Sequence, residues 1–108
     1  MLYELRIYHC MPGKLPALLT RFETATVALF AKHGIEQVGF WTVAIGESNA
    51  DLYYILKWDS LEEREKKFAA FAADPAWIAA RTKSEEGGPL LTSISNSILT
   101  PTKFSALK

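Results

Sequence analysis

Arg6, Tyr8 and His9 are the residues best equipped for chemistry in this chain, and they lie close together in the segment Tyr3-Glu4-Leu5-Arg6-Ile7-Tyr8-His9. A guanidinium facing a cavity can hold a carboxylate or enolate oxygen in a two-pronged grip. A phenol can donate a hydrogen bond or a proton, and a neutral imidazole can act as a base near physiological pH. Together these groups can stabilise a developing oxyanion while a proton moves. Each also has a plainer use. Arg6 can pair with Glu4 on the same strand face, Tyr8 can line a subunit interface, and His9, expected just past the end of the strand, can be an exposed turn residue. Trp41, Tyr53, Tyr54 and Trp58 can supply the rigid walls on which flat ligands stack, and the expected ligand-binding set is Glu4, Arg6, Tyr8, Trp41, Tyr54 and Trp58. Tyr53 and Tyr54 are adjacent and must point to opposite faces; alternation alone leaves open which one lies beneath the helices.

Other chemistries find no support in the residue pattern. No Ser-His-Asp set, phosphate-cradling glycine loop or carboxylate pair at catalytic spacing is readable in the residue order. The single cysteine, Cys10, cannot form an internal disulfide and is expected to be a small buried hydrophobe. With two scattered histidines it makes no metal site, so neither a metal nor a cofactor is expected. His33, near a helix end, suits a capping role. Lys plus Arg and Asp plus Glu each number 12, which leaves no net field to gather nucleic acid or anionic lipid. No apolar run approaches the ~20 residues that span a bilayer, and Met1-Leu2-Tyr3-Glu4 has no basic leader. A cytoplasmic location without nucleic-acid or membrane partners is therefore expected.

The positioning elements follow from periodicity. Tyr3, Leu5 and Ile7 alternate with Glu4, Arg6 and Tyr8 in a first strand. After a turn at Met11-Pro12-Gly13-Lys14, a helix of about five turns begins near Pro16, weakens at Ala25 and Thr26, and stops at Gly34. Gln37 to Ile45 and Leu52 to Trp58 are two strands joined by the polar turn Gly46 to Asp51, hence antiparallel. The near-continuous apolar run of the latter marks an interior strand. Ser60 and Glu63 form a capping-box pattern, and Glu62-Lys66 and Glu63-Lys67 make the following helix face solvent, with Leu61, Phe68, Phe71 and Ala72 facing inward. Asp74-Pro75 starts a short helix carrying Trp77, expected to pack or line an interface. Leu90 to Leu99 is a fourth strand, and residues 101–108 form a tail anchored by Phe104.

This order, β-α-β-β-α-β in one domain over residues 1–108, predicts an α+β ferredoxin-like antiparallel sheet. Strands one and three are central and both helices lie on one face. The bare face is expected to carry Glu4, Arg6 and Tyr8 and to be covered by a second copy, giving a homodimer that encloses a pocket for a small molecule.

Seven segments in matching order resemble the NIPSNAP family: Tyr3 to Tyr8, Pro12-Gly13-Lys14, Lys32-His33-Gly34, Gly39-Phe40-Trp41, Trp58 to Arg64, Asp74-Pro75-Ala76-Trp77 and Ile98 to Phe104. The resemblance covers almost the whole chain. It implies a dimeric α+β barrel, in a superfamily that includes antibiotic-biosynthesis monooxygenases and haem-degrading oxygenases, and brings no established catalytic residues. Mitochondrial members carry a targeting leader and a second repeat not found in these residues, so their roles are not expected to carry over. The functional expectation is a small-molecule binding dimer for partly aromatic or acidic ligands. The alternatives are a cofactor-independent monooxygenase or isomerase using Arg6 with Tyr8 or His9, and a purely structural dimer.

Overall fold

Four strands form one antiparallel sheet in the order β2-β3-β1-β4: β1 (Leu2–Cys10), β2 (Glu36–Thr42), β3 (Asp51–Trp58) and β4 (Leu91–Leu99). The computed structural model describes all 108 residues, and the two central and two edge strands are those the connection rules predict. Between β1 and β2 lie α1 (Leu15–Arg21), a π-helical turn (Phe22–Thr26) and α2 (Val27–Lys32), running on without a break. The π turn falls where the apolar repeat weakens, at Ala25 and Thr26. The wider turn rephases the helix so that Phe22, Thr26 and Phe30 are all buried against the sheet. Gly34 then takes φ +70°, the left-handed conformation that ends the helix.

After β3, α3 (Leu61–Ala73) and α4 (Pro75–Ser84) return over the same face of the sheet. The Ser60 hydroxyl accepts from the Glu63 amide at 3.1 Å. The reciprocal half of the capping box is not formed, because Glu63 pairs instead with Lys67 at 3.1 Å. At the junction of α3 and α4, Asp74 accepts from the Ala76 amide at 2.9 Å and from Lys32 and His33 at 2.8 and 2.7 Å. These contacts hold its carboxyl well below the usual range, first through Lys32 and then His33. His33 stands at the C-cap position of α2, but its imidazole bonds Asp74 rather than the last carbonyls of the helix, and so links the end of α2 to the start of α4.

The face assignment departs from expectation. In β3, Leu52, Tyr54, Leu56 and Trp58 are at most 2% exposed, packed under Phe22, Phe30, Phe68 and Phe71 of the helices. Directly opposed residues of an antiparallel pair share a face, and β1 aligns Glu4 with Leu56, Arg6 with Tyr54 and Tyr8 with Leu52. Glu4, Arg6 and Tyr8 thus lie beneath the helices, whereas Tyr3, Leu5, Ile7 and His9 face away. Considered alone, β1 favours burying its Tyr3-Leu5-Ile7 side. β3 overrides it, because its Leu52-Tyr54-Leu56-Trp58 side carries no charge while its other side carries Asp51 and Lys57, and the register takes the charged side of β1 along. Tyr54 is the tyrosine beneath the helices and Tyr53 the one on the open face.

Five smaller expectations also change. His9 is inside β1 rather than beyond it, β2 ends at Thr42 rather than Ile45, Leu61 and Ala72 are exposed, and Phe104 is 90% exposed. The tail is tied instead by Tyr3, whose hydroxyl donates to the Lys108 carbonyl at 3.2 Å. No helix is long and apolar enough to cross a membrane.

Candidate functional site

The sequence-derived candidates separate into two groups on opposite sides of the sheet. On the helix side, Glu4 is fully buried and its carboxylate is saturated. Oε1 accepts from Arg64 Nε at 2.7 Å and Trp58 Nε1 at 3.1 Å; Oε2 accepts from Arg6 Nη1 at 2.8 Å, Asn96 Nδ2 at 3.0 Å and Arg64 Nη2 at 3.1 Å. Burial pushes the Glu4 pKa up, but the bonds from Arg64 and Asn96 and the charge of Arg6 outweigh it and bring it to about 2. The Arg6 and Arg64 guanidiniums also lie 5.0 and 5.2 Å from the Phe68 ring centroid.

Arg6 spends its whole fork here. Besides Glu4, its Nε donates to Tyr54 Oη at 2.7 Å and its Nη2 to Tyr8 Oη at 3.4 Å, and Tyr54 Oη donates to Tyr8 Oη at 2.9 Å. Burial opposes the Arg6 charge, yet Tyr54, Tyr8 and Glu4 hold its pKa above the ordinary value; burial, followed by Tyr8, keeps Tyr54 protonated far into the alkaline range. The Arg6-Glu4 pairing that the sequence allowed is the one formed. Tyr8 ends the chain of bonds, accepting two and leaving its own proton without a protein acceptor. Five of the six expected ligand-binding residues, Glu4, Arg6, Tyr8, Tyr54 and Trp58, therefore meet in one polar network under the helices, away from the sixth.

Trp41 is on the open face, 51% exposed, beside Tyr53 in the β2-β3 ladder. With Leu5, Val43, Ile45, Tyr53 and Ile55 it lines an apolar concavity of about 410 Å³. Gly39 makes its posture possible: a Cβ there would lie 2.8 Å from the indole, so only glycine lets Trp41 lie across the strand. Adjoining it, a polar hollow of about 540 Å³ is lined by His9, Asp51, Tyr53, Ser48, Thr92 and Ser93 among others.

At the edge of this hollow the fold assembles a series the sequence did not reveal. His9 and Asp51 are directly paired across β1 and β3, with Nδ1 3.2 Å from Asp51 Oδ1. The other imidazole nitrogen, Nε2, is 2.8 Å from Ser95 Oγ on β4. Asp51 thus orients the ring and leaves Nε2 positioned to exchange a proton with an adjacent hydroxyl. Asp51 and Ser95 lie 42 and 86 residues from His9 in the chain, and only the strand registers bring them together. The one available signal was the period-two run Ser93, Ser95, Ser97, which marks a polar edge of the open face. Nearby Cys10 is buried, which together with Asp51 pushes its thiol pKa up, as befits a packing residue. No group of three or more His, Cys, Asp or Glu side chains is placed to hold a metal ion.

Comparisons with known proteins agree on one family. The NIPSNAP family model matches residues 3–106. Protein NipSnap homolog 3B of Mus musculus and Protein NipSnap homolog 3A of Homo sapiens are each 33% identical over 75 residues, 69% of this chain, and the chain spans only 30% of the length of these curated relatives. Among solved structures, a NIPSNAP family protein with unknown function from Agrobacterium tumefaciens is 31% identical with TM-score 0.87, covering all of this chain and 94% of that one. An uncharacterised NIPSNAP-like domain protein from Burkholderia xenovorans is 28% identical with TM-score 0.84 over 96% of this chain and 87% of that one. A putative antibiotic biosynthesis monooxygenase from Chloroflexus aurantiacus, at 14% identity and TM-score 0.60 over the whole of both chains, shares the fold.

Proposed function

The chain belongs to the NIPSNAP family, and from that premise we propose that it works as a homodimer whose open sheet faces meet and shelter a small, partly aromatic or acidic molecule. The carrying observation is the uncovered apolar half of the sheet. The molecule is only 19 Å across its shortest extent, a sheet with one layer of helices, and Leu5, Ile7, Trp41, Tyr53 and Ile55 all project from the side without helices. A surface of that character favours another copy of itself over water. Concave walls at Trp41 and Tyr53 leave room for a flat ligand between the copies, with His9 and the serines of β4 as polar anchors.

Two measurements test this reading. Sedimentation at micromolar protein is expected to give a dimer, and single chains alone would overturn it. A thermal-shift screen of flat aromatic and acidic compounds is expected to find one that raises stability by more than about 1 kcal/mol at saturation. A dimer that no compound stabilises, with the two faces packed solid, points to assembly alone.

The Asp51-His9-Ser95 series favours a second reading, a cofactor-independent monooxygenase or isomerase. In it His9 takes a proton from an electron-rich substrate held against the open face, while Asp51 stabilises the imidazolium. Oxygen uptake or isomerisation by a compound found in the screen is expected to fall at least about 100-fold in His9→Gln. Turnover unchanged in that variant would remove the mechanism.

A further inference from the structure

Buried ionised groups in this protein are paired, with one exception. Glu4 has Arg6 and Arg64, Asp51 has His9, and Asp74 has Lys32 and His33. Arg21, on the last turn of α1, is only 6% exposed and has no carboxylate partner. Its Nε is buried with nothing to donate to, and Nη1 makes a single long bond, 3.3 Å, to Ser84 Oγ. The Trp77 ring, 5.3 Å from the guanidinium carbon, packs against the cation without accepting these protons. The nearby acid Glu85 is taken by Arg81 at 3.3 Å. Burial accordingly pulls the Arg21 pKa down. An unpaired charge at such depth is costly unless an anion completes it.

Nε itself is closed to any ligand, but the Nη end of the guanidinium, beside Ser84, borders open space. Between α1 with its π turn and α4 lies a groove of about 550 Å³, lined by Arg21 and Lys83 with Thr20, Thr24 and Ser84 and floored by small alanines. The π turn lies beside it, and such turns recur at binding sites. The three hydroxyl protons are committed to backbone carbonyls, Thr20 to Pro16, Thr24 to Thr20 and Ser84 to Arg81, at 3.1, 2.7 and 2.8 Å. The Thr20 and Thr24 oxygens therefore keep their lone pairs for the groove, and Ser84, which already accepts from Arg21, keeps one. A ligand that suits both features is an oxyanion carrying O–H donors of its own.

We propose that this groove is a binding site for a small hydroxylated oxyanion, a hydroxycarboxylate or a partly protonated phosphate, held by Arg21 and Lys83. The site is on the helix side, remote from the open sheet face, and its existence does not depend on the dimer.

The test titrates the ¹⁵N-labelled full chain with inorganic phosphate, glycolate or acetate at constant ionic strength set with chloride, following amide shifts and melting temperature. Saturable shifts confined to Arg21, Lys83, Ser84 and the π turn are expected, and the stronger of phosphate and glycolate identifies the anion class. Acetate, which lacks a donor, is expected to bind about tenfold more weakly than glycolate. Arg21→Met keeps the packing and removes the charge. It is expected to lose the response while melting no lower than the wild type without anion, a result that a purely structural arginine would not give. Lys83→Ala, an exposed change that leaves the core intact, is expected to weaken binding several-fold. Absence of saturable shifts in the groove, or retention of binding in both variants, would overturn the proposal.

Discussion

The two faces of β1 solve the same problem in opposite ways. Beneath the helices, Glu4, Arg6 and Tyr8 are polar groups placed in the interior; Arg6 and Tyr8 bond Tyr54 and one another, and Trp58, Asn96 and Arg64 join Arg6 in completing Glu4. On the other side Leu5 and Ile7 are apolar groups left without a covering layer, beside the half-exposed Trp41. Burial and hydrophobicity are thus inverted within one strand. A buried charge is tolerated where local partners complete it, whereas an exposed apolar patch has no local remedy and calls for another molecule. The same contrast separates the two buried arginines: Arg6 has its anion within the chain and Arg21 does not.

The polar side of β1 is the more sensitive of the two to substitution. Glu4→Ala leaves Arg6 and Arg64 without their shared anion and is expected to cost about 3–5 kcal/mol in urea unfolding. A loss below about 1 kcal/mol would mean the network is incidental. Acid probes the same point. Since the folded pKa of Glu4, about 2, is below its ordinary 4.5, its contribution is complete above pH 4.5 and disappears as pH falls toward 2. That difference corresponds to roughly 3 kcal/mol, and stability measured across this window is expected to fall by about that much in the wild type. Glu4→Gln should remove this part of the pH dependence.

On the apolar side, Ile55→Glu is expected to weaken self-association about 100-fold by sedimentation while the far-ultraviolet circular dichroism stays native. Unfolding instead of dissociation would show that the open face is part of the monomer core. Gly39→Ala forces the Trp41 indole off the strand by steric overlap. It is expected to change Trp41 fluorescence and cost about 1–2 kcal/mol. The smallest effect belongs to neither face: Ser60→Ala removes the cap of α3 for about 1 kcal/mol.

Much of the architecture was legible from residue order. Period-two and three-to-four-residue repeats, Gly34, Ser60 and the Asp74-Pro75 start located the elements, because each depends on neighbours close in sequence. The site was less so. Of the six expected binding residues, Glu4, Arg6, Tyr8, Tyr54 and Trp58 meet, but on the face opposite to the expected one, and Trp41 lies apart from them. No local pattern ties Asp51 or Ser95 to His9, and none marks Arg21 as buried.

The physical reason is the range of the interactions. Periodicity, capping and turn chemistry are short-range, so residue order alone specifies the strands and helices to within a few residues of their ends, their order and hence the ferredoxin-like topology. Which side of β1 the helices cover was decided only when β3 offered a surface without charge and the antiparallel register bound β1 to it. That choice, made by packing across distant parts of the chain, turned Arg6 inward onto Glu4, placed His9 between Asp51 and Ser95, and left Arg21 buried beside α4 with no anion of its own.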